Sequence, residues 1–144
     1  MKKIVFSILL IIIVMVSTIY YIYFNNIAIL NNAKKENQSF EAYYEKEMTG
    51  AELVTFINKG SNSNIDNNIQ KDENGKYIDN GINSINIDIK FMDSDVMLNF
   101  EKVYDNGTDT FIGYYRDIIF KCMDIQYHEK TKMVKYMLFE QVTV

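Results

Sequence analysis

Hydrophobic positions along this chain follow three rhythms, and each predicts a different element. From Ile4 to Phe24 the sequence IVFSILLIIIVMVSTIYYIYF runs for 21 residues without a charge, a Gly or a Pro. At about 1.5 Å per residue, a helix of that length spans roughly 30 Å, the hydrocarbon thickness of a bilayer. Ile and Val favour strands in water, but in hydrocarbon every backbone group must find its partner within the segment, and a helix achieves that. Tyr20, Tyr21 and Tyr23 gather at the distal end, where amphipathic rings settle among headgroups. A transmembrane anchor is therefore predicted over 1–24.

The second rhythm is helical. No Pro or Gly interrupts Asn25 to Met48, and Phe40, Tyr43, Tyr44 and Met48 recur at i, i+3, i+4 and i+8. This predicts a helical stalk over 25–48 with an aromatic stripe, which packs on the following domain or offers a contact surface to a partner. Thr49-Gly50 reads as a break. A short helix follows over Ala51–Lys59, with Leu53, Val54 and Ile57 on one side and Gly60 as its stop. The polar run SNSNIDNN, Ser61 to Asn68, predicts a loop.

The third rhythm alternates. Ile85, Ile87, Ile89 and Phe91 interleave with Asn86, Asp88 and Lys90, the pattern of a strand with one buried face. Upstream, Asp72-Glu73-Asn74-Gly75 suits a hairpin turn between Ile69 and Tyr77-Ile78. Asp93-Ser94-Asp95 suits the cap of a helix from Val96 to about Tyr104, ended by Asn106-Gly107. Phe111 to Tyr115 fits a helical turn or a strand. Ile118 to Tyr127 and Lys132 to Thr143 predict two strands joined by His128-Glu129-Lys130-Thr131. Their alternation sets Phe120 and Cys122 on one face and Lys121, Met123, Ile125 and Tyr127 on the other. The expected fold over 49–144 is α+β, a small antiparallel sheet packed on helices.

Charge adds orientation. All 19 acidic residues lie at Glu36 or beyond; removing Lys2 and Lys3 from the net −4 leaves −6 on the rest. An acidic domain gains nothing from phosphate backbones, which argues against nucleic acid as a partner. Lys2 and Lys3 abut the apolar stretch directly, whereas Lys34 and Lys35 stand further from its other end. The expected topology is therefore N-terminus inside and C-terminal domain outside, in the cytoplasmic membrane. The apolar run exceeds a signal peptide's, and bulky Asn25-Asn26-Ile27 replace a small-residue cleavage site, so the anchor is expected to be retained. The chain lacks Pro and Trp and is rich in Asn, Ile and Lys, which fits an AT-rich genome and a low-GC Gram-positive bacterium.

Candidate chemistry is sparse. Cys122 is the only cysteine and His128 the only histidine, so no disulfide, CxxC or HExxH is possible. The two lie six apart along one strand, too distant for a nucleophile pair. Asp93 with Asp95, and Asp88 beside Lys90, are the carboxylates considered for acid–base work. Asn64, Asp66 and Asn68 alternate like the first ligands of a calcium loop, but Ile69 stands where that loop needs Gly and Gly75 where it needs a carboxylate. Catalytic, cofactor and metal residues are thus expected to be none. The expected site is a partner-contact stripe of Phe40, Tyr43, Tyr44 and Met48.

The stretches MTGAELVTFINK, KDENGKYIDN and YHEKTKMVKYMLFEQ resemble a group of small uncharacterised single-pass membrane proteins from clostridia-like bacteria. That resemblance implies an anchor and a small domain, and carries no activity. A long N-terminal helix leading into a sheet is similar in architecture to pilins and pseudopilins. Here, however, no Gly precedes Gly50 and no acid precedes Glu36, whereas a pilin leader needs both. The functional expectation is a membrane-anchored extracytoplasmic interaction or structural protein, with the bilayer and an envelope protein or second copy as partners. A ligand-binding or sensing domain is the first alternative, and a pilin-like assembly subunit the second.

Overall fold

The structure, a computed structural model, describes residues Lys2 to Val142; Met1, Thr143 and Val144 lie outside the described residues, and with them the end of the strand predicted to reach Thr143. The chain divides into two compact units, Met1–Asn32 and Ala33–Val144.

Helix α1 (Lys2–Glu41) supplies all of the first unit. From Ile4 to Phe24 its apolar residues are exposed; Ile4, Phe6, Ile19 and Tyr21 each keep 65% or more of their surface. The few hydroxyls are satisfied locally: Ser7 donates to the Lys3 carbonyl, and Ser17 and Thr18 both donate to that of Val14. By length and composition this stretch is a candidate membrane anchor, with its serine and threonine hydroxyls bonded inside the helix.

The second unit is α+β, as its sequence predicts. After α1 come β1 (Glu47–Thr49), α2 (Gly50–Asp66), β2 (Asn86–Lys90), β3 (Met97–Asn99), α3 (Phe100–Asp105), α4 (Thr108–Tyr115), β4 (Ile119–Tyr127) and β5 (Val134–Gln141). The sheet runs β1-β4-β5-β2-β3. It is mixed rather than purely antiparallel, because β2 lies parallel to β5, with Asn86 beside Tyr136 and Lys90 beside Glu140. A parallel neighbour needs a long crossover. Everything from β3 to β4 provides it.

Helices α2, α3 and α4 pack together over one face of the sheet. Leu53, Ile57, Ile87, Ile89, Phe100, Phe120, Met137 and Phe139 are fully buried between the layers. Thr49 caps α2 through a capping box, accepting from the Glu52 N–H while its own N–H donates to the Glu52 carboxylate. Gly50 begins the helix because a Cβ there would sit 1.9 Å from the Tyr115 carbonyl oxygen.

Several local expectations are corrected. The helical stalk stops at Glu41 rather than Met48: Glu45 takes a left-handed φ of 59°, and Glu47–Thr49 leaves to pair with β4. Helix α2 runs through Gly60 and the supposed loop to Asp66, since Gly60 lets Ile87 and Phe100 approach and Ser61 and Asn64 turn inward. The helix predicted from Val96 starts only at Phe100, because Met97–Asn99 pairs with β2 as an edge strand. Phe111 to Tyr115 is helical. The hairpin around Asp72–Gly75 is a tight turn held by the Asp72 carboxylate and a single Lys71–Tyr77 bridge. A bulge at Met123 in β4 returns Ile125 to the inner face, opposite Met137, so strict alternation misplaces it.

Candidate functional site

The last turns of α1 belong to the domain. Ala33, Asn37 and Phe40 are buried there. The Asn37 amide works as a clamp: its Nδ2 donates to the Lys132 carbonyl at 2.8 Å, and its Oδ1 accepts from the Val134 N–H at 2.8 Å. Phe40 and Tyr43 meet Phe56 edge-on at 5.5 and 4.8 Å, and Phe56 meets Phe139 in turn. The four predicted stripe residues therefore do not share one helix face. Phe40 and Met48 lie inside the domain's own core, while Tyr43 and Tyr44, beyond the helix end, keep 39% and 40% exposure. Met48 is drawn off the helical path because β1 sets it beside Phe120.

A second amide clamp repeats the first. Asn64 of α2 donates to the Ile85 carbonyl at 2.7 Å and accepts from its N–H at 2.8 Å. Ile85 immediately precedes β2, and Val134 opens β5, so each clamp supplies hydrogen bonds where a central strand begins. His128 adds a third tie at the β4–β5 turn. It is buried, with Nε2 2.8 Å from the Ser84 carbonyl, which assigns the ring hydrogen to that nitrogen. Its Nδ1 stands 3.6 Å from Asp79. Asp79 is held down at about 2, chiefly by the Lys135 ammonium at 2.8 Å and by the Gly81 N–H.

The other face of the sheet is polar. Asn86, Asp88 and Lys90 project away from the core that Ile87 and Ile89 enter. Two buried oxygens here lack a partner, Asn86 Oδ1 and Asp88 Oδ1; among the described residues Glu101 Oε2 of α3 and Ser61 Oγ of α2 do as well. Glu101 is 3% exposed and accepts the Tyr77 N–H through Oε1. Burial pushes its carboxyl above the usual range, helped by the field of Asp88 and opposed by the Tyr77 N–H and Lys76. Burial pushes the Tyr136 hydroxyl up to about 12, helped by the Asp88 carboxylate. An open cleft of about 380 Å³ lies here, lined by Lys76, Asn86, Asp124, Gln126, Tyr136 and neighbours. The cleft sets two ammonium groups, Lys76 and Lys135, beside the side-chain acceptors of Asn86, Asp124 and Gln126.

The remaining sequence candidates are dispersed. Cys122 is buried and pushed up to about 11 by that burial, which suits a core thiol and not a nucleophile. Asp93 and Asp95 are exposed. Helical geometry turns Asn64 inward and Asp66 outward, so the calcium-like spacing has no common centre. Among the described residues no three His, Cys, Asp or Glu side chains come together as metal ligands. Asn37, Asn64 and Glu101 were the residues that sequence reasoning missed. No hydrophobic period marks them, because their role is fixed by backbone groups far along the chain. No protein family, curated protein or solved structure matches this chain.

Proposed function

We propose that this chain is a single-pass membrane protein whose domain stands on the outer face of the cytoplasmic membrane as a non-catalytic interaction or structural component. Its partners are the bilayer and a protein of the envelope, or a second copy of the chain. The observation that carries this reading is α1. A stretch of mean hydropathy 2.6, with none of it buried, leads without a Pro or Gly into turns that form part of the domain core. Exposed apolar surface of that extent is unfavourable in water at about 25 cal/mol per Å², and hydrocarbon removes the penalty. A C-terminal epitope tag and protease added to intact protoplasts test the topology. Loss of the tag supports an outside domain; survival until lysis moves it to the cytoplasm and ends the envelope reading.

A second reading, a ligand-binding or sensing domain, is favoured by the two unpartnered side-chain oxygens of β2, on Asn86 and Asp88. It requires the thermal midpoint of the full chain in micelles to rise on adding millimolar calcium or magnesium, and Asp88→Asn to abolish the rise. An unchanged midpoint with both ions removes that support.

A further inference from the structure

Sequence alone places two lysines, Lys34 and Lys35, near the distal end of the apolar stretch. The fold brings two more beside them. Because the Asn37 side chain holds the Lys132 carbonyl at 2.8 Å, the β4–β5 turn, with Lys130 and Lys132, lies against the turn of α1 that carries Lys34. All four lysines are exposed, and among the described residues none forms an ion pair. Glu36 and Glu129 are the acidic residues within the same two stretches, 33–37 and 128–133, so this end carries a net +2. The unit as a whole carries −6, which leaves −8 on everything else.

We infer that these four lysines form a collar that holds anionic lipid headgroups of the bilayer receiving the anchor. The inference rests on the membrane reading above. Lys34 follows Phe24 by ten residues, so the chain tethers it near the end of the apolar stretch. The field of a charged surface reaches beyond the headgroup layer by a Debye length of about 8 Å, toward lysines tethered that closely. Charge complementarity favours lipid over an acidic protein, because the basic end is the one where the chain enters from its apolar segment. Each lysine near such a surface multiplies affinity by about five.

The test uses the full chain reconstituted in liposomes containing a photoactivatable headgroup analogue, either phosphatidylglycerol or phosphatidylcholine, at equal density. Flotation after a carbonate wash is scored first. A chain that does not float overturns the anchor and the collar together. For a chain that floats, adducts on 128–133 are expected to be at least about five-fold more abundant with the anionic analogue. They should fall to the phosphatidylcholine level in 0.5 M salt (about a 4 Å screening length) and in Lys130→Glu/Lys132→Glu. Equal yields from the two headgroups, or adducts confined to the apolar helix, would overturn the collar and leave the anchor standing. Both substituted side chains are exposed, so the variant keeps its fold; an unchanged circular dichroism spectrum checks this.

Discussion

The β4–β5 hairpin and the second half of α2 each bury a side chain completely, by opposite means. Phe139 and Asn64, one from each, both have 0% exposure. Phe139 sits inside because removing an aromatic ring from water is favourable, and its alternating neighbours announce this. Asn64 sits inside because Ile85, one residue before β2, has an N–H and a carbonyl that the Asn64 amide completes. Such burial is driven by the cost of leaving backbone groups unpaired, and hydropathy is blind to it.

Two substitutions separate these causes. Phe139→Ala removes a ring in contact with Phe56 and is expected to cost about 3–5 kcal/mol. Asn64→Leu is the sharper test, because it keeps the volume and adds apolar surface. If burial followed hydropathy, it would be neutral or stabilising. If the clamp matters, two buried backbone groups lose their partner and stability drops by about 2–4 kcal/mol. Urea unfolding of the full chain in micelles, followed by tyrosine fluorescence since the chain has 11 Tyr and no Trp, reads both. An Asn64→Leu variant as stable as the parent would collapse the distinction.

The same contrast explains what the sequence disclosed. The apolar run of α1, the start of α2 at Thr49-Gly50, the alternation of β2 and the β4–β5 hairpin with its turn all rest on local patterns, and all were legible. Glu47–Thr49 and Met97–Asn99 were not, because three-residue edge strands take their identity from β4 and β2, distant in sequence. The parallel pairing of β2 with β5 is likewise a property of the whole topology. Gly60 misled because a glycine that admits Ile87 and Phe100 looks locally like one that ends a helix. At the candidate site, the spacing of Phe40 and Tyr43 correctly suggested packing on the domain. The clamps and the buried oxygens around β2 left no periodic trace.

Glu101 carries the comparison to its smallest expected effect, since it is a buried polar group that, unlike Asn64, is incompletely satisfied. One oxygen accepts the Tyr77 N–H and the other has no partner. Burial raises its carboxyl in the folded protein, whereas in the unfolded chain it titrates near the ordinary value of about 4.3. The unfolded state therefore releases its proton at lower pH than the folded state. Glu101's favourable contribution is fully present below the unfolded pKa and is lost as pH rises through the folded one. Glu101→Gln keeps an acceptor for the Tyr77 N–H, with no charge to bury. It should leave stability near pH 4 almost unchanged and raise it at pH 7, flattening this part of the profile between those limits. Unfolding free energies measured across that range for both proteins decide the matter. A parallel pair of curves would mean that the folded protein does not hold the Glu101 proton to higher pH than the unfolded chain, and would overturn this account.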